Sequence, residues 1–232
     1  MNAQTRKLLI DGPAGPIEVA LDLPAAAPAG LAVVAHPHPL HGGTLDNKVV
    51  QTLARAWLRL GYATVRPNFR GVGQSAGSFD QGQGETEDLL ALIARMRPEI
   101  ATLARTDADA LPLALAGFSF GAAVAARCAR ALRDRGVALH DLTLVGTAVT
   151  RFDVPAVQPT DSPPLAQSIL VLHGEADDVV PLPAVLDWVR PQHLPVVVLP
   201  GAGHFFHGAL LVLRDWVCRW HGATAAPAAG AD

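Results

Sequence analysis

The sequence predicts an α/β fold with a mostly parallel central sheet, and three observations support this prediction. From residue 31 onward, apolar runs of four or five residues rich in Val, Leu and Ala recur along the chain. Longer amphipathic segments separate these runs, a pattern typical of buried parallel strands with helices on both faces of the sheet. The chain has 232 residues, half of them hydrophobic, which is enough for one sizeable core.

The predicted elements alternate in chain order. Residues 7–23 contain short apolar segments broken by Gly and Pro, which indicates an opening antiparallel hairpin. The predicted parallel strands are 31–35, 62–66, 113–116, 142–145, 169–172 and 196–199. The predicted helices are 48–60, 85–96, 120–135, 183–189 and 208–220. We expect a single domain over residues 1–222 and a disordered tail at 223–232, because the Ala, Gly and Pro of the tail cannot form a packed face.

Composition excludes several classes of partner. With a net charge of −3 and 17% charged residues, the chain has no basic stripe for a phosphate backbone, so we expect no nucleic acid partner. No apolar run approaches the roughly 20 residues of a membrane span, and the first ten residues lack the apolar core of a signal peptide. We therefore expect a cytoplasmic protein that does not bind membranes, present as a monomer or homodimer. Cys128 and Cys218 lie in amphipathic segments, which predicts free thiols.

One segment carries a candidate nucleophile. Residues 117–121 read Gly-Phe-Ser-Phe-Gly and join a predicted strand to a predicted helix. Such a tight turn lifts a serine hydroxyl clear of the sheet, while the flanking glycines keep strand and helix from colliding. With five serines and 21 glycines in the chain, roughly 0.04 such matches are expected by chance. Ser119 is therefore the candidate nucleophile, and the alternative is a buried serine that only caps the turn.

A serine hydroxyl needs a base, and the chain offers one after its last predicted strand. His204 follows that strand and precedes the final helix, so it lies at a strand's carboxyl end, with His207 as its rival. An acid that orients the base should fall between Ser and His in the chain, in the loop after another strand. Asp177 and Asp178 both satisfy this condition, and periodicity alone does not separate them.

The loop after the first parallel strand is a candidate oxyanion hole. One backbone N–H of such a hole comes from the residue after the nucleophile, here Phe120, and the second comes from this loop. Pro37 and Pro39 have no N–H, which leaves His38 and Leu40 as candidate donors.

Neither a metal nor a cofactor is predicted. His36, His38 and His41 invite a zinc interpretation, but no His and carboxylate set recurs at ligand spacing, and the prolines stiffen the loop. The glycine-rich segment 71–77 misses the dinucleotide-binding spacing by one residue, and no Gly-Lys-Ser/Thr follows it.

The sequence resembles the α/β-hydrolase superfamily in three segments: the strand-to-helix turn at 117–121, the His-Gly segment at 173–181 and the Gly-x-Gly-His segment ending at His204. The resemblance spans nearly all of residues 8–222 and implies an α/β-hydrolase fold with a minimal cap. The His-Pro-His-Pro loop at 36–39, with segments 68–75 and 204–208, is similar to a compact bacterial group distantly related to dienelactone hydrolases and small esterases. A serine stands where dienelactone hydrolases carry cysteine, which argues against their substrate.

The resemblance also implies roles for particular residues. In the family pattern the acid is the fifth residue of the His-Gly segment, which favours Asp177, and analogy with related loops favours His38 as the oxyanion donor. The expected activity is hydrolysis of a small acyl ester, in a site left open by the short segment between the fourth and fifth parallel strands. Apolar side chains expected to bind this small-molecule substrate are Leu40, Phe118, Phe152 and Phe205. An acyl thioesterase, a peptidase-like hydrolase and a catalytically silent ligand-binding member remain as alternatives.

Overall fold

A computed structural model describes residues 5–225, and eight strands in this range form one sheet. The strands are β1 (Arg6–Gly12), β2 (Gly15–Asp22), β3 (Gly30–Ala35), β4 (Tyr62–Pro67), β5 (Leu113–Phe118), β6 (Asp141–Val145), β7 (Ser168–Gly174) and β8 (Val196–Leu199). Their order across the sheet is β1-β2-β4-β3-β5-β6-β7-β8. β1 and β2 form an antiparallel hairpin, and β2 pairs antiparallel with β4, while β4, β3 and β5 to β8 run parallel. The carboxyl ends of the parallel strands therefore meet at one edge.

Helices cover both faces of the sheet. They are α1 (Lys48–Arg59), α2 (Gln83–Ala104), α3 (Phe120–Asp134), α4 (Leu182–Val189) and α5 (Leu210–Ala225). The side chains of β3 show the two layers, because Leu31 and Val33 pack with buried residues of α2 and α3, whereas Ala32 and Val34 pack with those of α1 and α5. None of the helices in the described range combines the length and apolar character needed to cross a bilayer.

The predicted fold class and strands are confirmed, while α2 and α5 extend beyond their predicted C-terminal bounds. The helix predicted at 85–96 runs from Gln83 to Ala104 through Pro98, because the buried residues Ile100 and Ala101 hold its last turns against the core. Of the tail predicted at 223–232, the backbone up to Ala225 belongs to α5, and the rest lies outside the described residues. Both cysteines are free, as predicted.

The junction between β5 and α3 is packed so closely that two positions exclude a side chain. A Cβ atom on Gly117 would lie 2.2 Å from the Gly121 carbonyl oxygen, and one on Gly121 would lie 2.4 Å from the carbonyl oxygen of Ala35. Both obstacles are backbone atoms that cannot rotate away. The spacing of the two glycines is therefore a steric requirement for laying α3 across the ends of β3 and β5.

This packing predicts opposite effects for two helical glycines. Gly121→Ala should lower the free energy of unfolding by about 1–3 kcal/mol, because the new methyl group overlaps backbone at the end of β3. Gly222→Ala in α5 is the matched control, since its Cβ would meet only Leu60 Cδ2 at 3.4 Å. We expect this change to raise the free energy of unfolding by about 0.5–1 kcal/mol. Urea denaturation of both variants measures the difference, and equal stabilities would contradict the steric account.

Candidate active site

Ser119 occupies the bend between β5 and α3 in a conformation that few L-residues adopt. Its backbone has φ 57° and ψ −118°, and its N–H donates to the carbonyl of Val145 at 2.8 Å. Such strained residues cost of order 1–3 kcal/mol and persist only where the surrounding structure enforces them. The hydroxyl is thereby presented at the carboxyl edge of the sheet and beside the N-terminus of α3, whose dipole favours developing negative charge.

His204 reaches this hydroxyl from the loop that follows β8. Its Nε2 lies 3.0 Å from Ser119 Oγ, although 85 residues separate the two in the chain. The ring is almost fully buried and packs on Phe118, with ring centroids 4.9 Å apart. The rival His207 is exposed, and its ring contacts Phe205 instead. The structure therefore brings His204, rather than His207, to the serine.

Asp177 orients the ring from the loop after β7. Its Oδ2 lies 2.7 Å from His204 Nδ1, while its Oδ1 accepts the N–H groups of Val179 and Val180 at 2.9 and 2.8 Å. Burial would raise the pKa of this carboxyl, but its hydrogen bonds with His204, Val180 and Val179 outweigh burial and lower the pKa below its ordinary value. An ionised carboxylate only accepts hydrogen bonds, so Nδ1 carries the ring proton and Nε2 faces the hydroxyl as an acceptor. Asp178 is exposed and makes none of these contacts.

His173 supports the loop that holds this acid. Its Nε2–H donates to the Val180 carbonyl at 2.9 Å and lies 3.5 Å from Asp177 Oδ2. Burial lowers the pKa of its imidazole, which keeps the ring neutral. His173 therefore clamps the chain around Asp177 without itself facing the serine.

His36 clamps the neighbouring loop in the same way. Its Nδ1–H donates to the Pro37 carbonyl at 2.6 Å, and its Nε2 accepts the N–H of Phe69 at 2.9 Å. Burial lowers the pKa of this ring to about 4, so the ring is neutral. Within the described part of the chain, no three His, Cys, Asp or Glu side chains converge as a metal site requires.

The two candidate donors in the 36–48 loop have different environments. The N–H of Leu40 donates to Nδ1 of the His38 side chain at 3.2 Å and is therefore already used. The N–H groups of His38 and Phe120 have no acceptor among the described residues. A Cβ on Gly43 would lie 2.1 Å from the Pro37 carbonyl oxygen, so a glycine there allows the loop to fold back tightly. The geometry favours His38 over Leu40 as the available donor.

Ser119 and His204 line a cavity of about 310 Å³. Its other lining residues are Pro37, His38, His41, Gly42, Gly43, Asn47, Phe120, Ala148, Arg151, Phe152, Val179, Val180 and Phe205. Residues 146–167, between β6 and β7, contain no helix and leave the cavity uncovered. Of the four apolar side chains expected to contact substrate, Phe152 and Phe205 line the cavity.

Two of the expected substrate contacts lie elsewhere. Leu40 is 69% exposed outside the cavity, because the tight turn at Pro39–His41 directs it to the surface. Phe118 is fully buried and supports the His204 ring from below the site. Asn47 and Arg151 also line the cavity but were not predicted from the sequence. The predicted contact Phe152 lies next to Arg151 in the chain and was the one signal that could have indicated it.

This arrangement can activate a hydroxyl for attack on an acyl carbon. A buried carboxylate fixes the imidazole tautomer, the imidazole accepts the serine proton, and two backbone N–H groups beside the serine are available to an anion. The fold and the site together define an α/β serine hydrolase.

Comparison with known proteins agrees with this class. A family model described as Thioesterase domain matches residues 74–191, just over half of the chain. An uncharacterized protein of Rickettsia prowazekii (strain Madrid E) is 31% identical over 207 residues, which cover 86% of this chain and 82% of the relative. The chain belongs to the thioesterase-domain family within the α/β-hydrolase superfamily.

Two solved structures are also similar over almost the whole chain. A serine hydrolase without lid from Xanthomonas campestris is 38% identical, with a TM-score of 0.80, over 98% of this chain and 99% of its own. A serine hydrolase homologue from Coxiella burnetii is 40% identical, with a TM-score of 0.77, over 92% of this chain and 96% of its own. The first of these shares the absence of a cap seen here between β6 and β7.

The contrast between the two adjacent aspartates gives a sharp prediction. Asp177→Asn should lower kcat for 4-nitrophenyl acetate by about 10⁴-fold, because an amide favours the wrong tautomer of His204. Asp178→Asn, the matched control, should leave kcat within about threefold of wild type, since this exposed side chain does not contact His204. Steady-state kinetics of both purified variants measures the effect. Equal losses in the two variants would contradict the assignment of Asp177.

Proposed function

We propose that the protein hydrolyses small acyl esters, with Ser119 as nucleophile, His204 as general base and Asp177 as the residue that orients the base. The observation that carries the proposal is the 3.0 Å contact between Ser119 Oγ and His204 Nε2, made by a serine in a strained elbow. A serine that merely capped the turn would need neither the strained backbone nor a buried imidazole at hydrogen-bonding distance. Asp177 completes the chain of hydrogen bonds at 2.7 Å.

The proposed reaction has two chemical steps. His204 Nε2 takes the proton of Ser119 as Oγ bonds to the acyl carbon, and the resulting imidazolium is stabilised by ionised Asp177. The tetrahedral intermediate collapses when Nε2–H protonates the departing alcohol, which leaves an acyl-enzyme. Water, deprotonated by the same nitrogen, then attacks the acyl carbon and releases the acid and free Ser119.

The negative oxygen of each tetrahedral intermediate is assigned to two backbone donors. The N–H groups of Phe120 and His38 belong to residues that line the cavity with Ser119 and have no acceptor among the described residues. Losing one such donor typically raises the barrier by about 2.7–4 kcal/mol. The loop clamped by His36 would supply this stabilisation through its backbone rather than through an imidazole side chain.

A small acyl group fits the dimensions of the site. The cavity of about 310 Å³ lies at the low end of the 300–1,000 Å³ typical of ligand pockets. Phe152 and Phe205 provide apolar walls, and the short segment between β6 and β7 adds no cap to shield a long chain.

We place this activity in the cytoplasm, an assignment that the two free cysteines support.

Thioesters are a second candidate substrate class. The match to the thioesterase-domain model over residues 74–191 favours them. An oxygen ester and a thioester of the same acid give the same acyl-enzyme on Ser119, so the triad geometry does not discriminate between them.

Parallel kinetics tests both candidates. Wild type and Ser119→Ala are assayed with 4-nitrophenyl esters of increasing chain length and with the matching acyl thioesters. We expect kcat/KM to peak at a short acyl chain for wild type and all turnover to fall by several orders of magnitude in Ser119→Ala. A steady rise with chain length would contradict the small-acyl assignment, and higher kcat/KM for thioesters would favour the second candidate.

Two substitutions at His38 isolate its backbone donor. His38 has φ −53°, which a proline can adopt, so His38→Pro removes the N–H without requiring a new φ. His38→Ala removes the same imidazole but keeps the N–H. We expect kcat of the proline variant to be about 10²–10³-fold below that of the alanine variant, because only the former loses an oxyanion donor. Similar kcat values in the two variants, with unchanged circular dichroism, would exclude this donor.

A further inference from the structure

The polar side chains of the cavity share one chemical character. Apart from Ser119 and His204, they are His38, His41, Asn47 and Arg151, all of which carry nitrogen donors. None of the residues found to line the cavity bears a carboxylate. The triad acid Asp177 contacts His204 and is not among the lining residues. The cavity therefore combines apolar walls with an excess of positive charge and hydrogen-bond donors.

Arg151 is the permanent charge in this set. Its guanidinium has no carboxylate or hydrogen-bond acceptor among the described residues, and only its backbone N–H is used, on the Ala148 carbonyl. Two other arginines differ from it, because the buried Arg66 and the half-buried Arg70 are each paired with an aspartate. Arg151 is exposed and unpaired at the wall of the cavity, where an anionic group of a ligand can reach its guanidinium.

The charge of Arg151 acts inside the cavity. The pKa of His38 is lowered chiefly by burial, and the positive charges of His41 and Arg151 lower it further. The rings of His38 and His41 lie 4.6 Å apart. The field of the guanidinium therefore reaches the loop that carries the proposed oxyanion donor.

Asn47 adds a neutral donor at the beginning of α1. Its Oδ1 accepts the N–H groups of Val49 and Val50 at 2.9 and 3.4 Å, so the amide nitrogen is the part left for a ligand. This nitrogen has no partner among the described residues, and the dipole of the 12-residue helix α1 favours an anion at this end. Asn47 follows β3 and Arg151 follows β6, and both line the same cavity.

We propose that the substrate carries an anionic group, a carboxylate or a phosphate, close to its scissile acyl bond, and that Arg151 binds this group. The inference rests on the proposed hydrolase function and adds the substrate class to it. The planar guanidinium can donate two parallel hydrogen bonds to two oxygens of either anion, which no other side chain does as well. Asp153 and Asp178, the acidic residues adjacent in sequence to Phe152 and Val179, do not line the cavity and leave the charge of Arg151 available.

Paired substrates test the proposal. One pair places the charge on the acyl side, as 4-nitrophenyl pentanoate and the mono-4-nitrophenyl ester of glutaric acid. The other places it on the leaving group, as butyrate esters of 4-hydroxybenzamide and 4-hydroxybenzoate. For each pair we measure kcat/KM for the anionic ester and divide it by kcat/KM for the neutral ester, after the enzyme-free rate of each has been subtracted. This ratio is determined for wild type, Arg151→Gln and Arg151→Glu.

The matched control is Arg95→Gln, which removes the same charge from α2. Arg95 is an exposed residue paired with Glu99 and does not line the cavity. Comparing one variant with another cancels the intrinsic reactivity of each ester, so a change in the ratio reports only on recognition of the charge.

In at least one pair we expect the ratio to fall by about five- to tenfold in Arg151→Gln, to fall further in Arg151→Glu, and to stay at the wild-type value in Arg95→Gln. Added salt should lower the wild-type ratio and have less effect on that of Arg151→Gln. Wild-type ratios in all three variants, with neutral esters still hydrolysed by the wild type, would overturn this inference and leave the proposed function standing. Failure of the folded wild type to hydrolyse any of the four esters would overturn both.

Discussion

The close approach of α3 to the carboxyl ends of β3 and β5 is the constraint on which the rest of the site depends. Only glycines at 117 and 121 allow it, because a Cβ at either position would meet backbone at 2.2–2.4 Å. The chain between them must bend sharply, and Ser119 takes up a positive φ of 57° as a result. The strain at the serine is held by packing of the sheet and helix, so the stability of the junction and the position of the nucleophile are linked.

The remaining groups reach the serine because parallel strands end at one edge of the sheet. The loops after β3, β7 and β8 form the site around the serine, and each contains a residue that is fixed by its own hydrogen bonds. These residues are His36 in the first loop, Asp177 in the second and His204 in the third. Neutral, buried His36 and His173 stiffen two of these loops through backbone contacts. The site is therefore built before substrate arrives, which limits reorganisation during the reaction.

The sequence was sufficient for the sheet, the superfamily and the two aspartate candidates, because each depends on local pattern. Buried parallel strands produce apolar runs, and the elbow needs its glycines in fixed positions. Long-range packing decided what the pattern left open. The loop after β7 directs the carboxylate of Asp177, and not that of Asp178, toward His204. Helix α2 continues through Pro98 because Ile100 is buried. Arg151 reaches the cavity because the segment that carries it, which has no regular structure, folds against the site.

The proposed role of Ser119 is that of an activated nucleophile and not of a turn cap. The most direct measurement is the intact mass of the folded protein after treatment with a fluorophosphonate, followed by peptide mapping of the adduct. We expect one adduct per chain, located on Ser119, and formed far more slowly when His204 is replaced by Ala. No adduct on the folded wild type, or an adduct on a different residue, would contradict it.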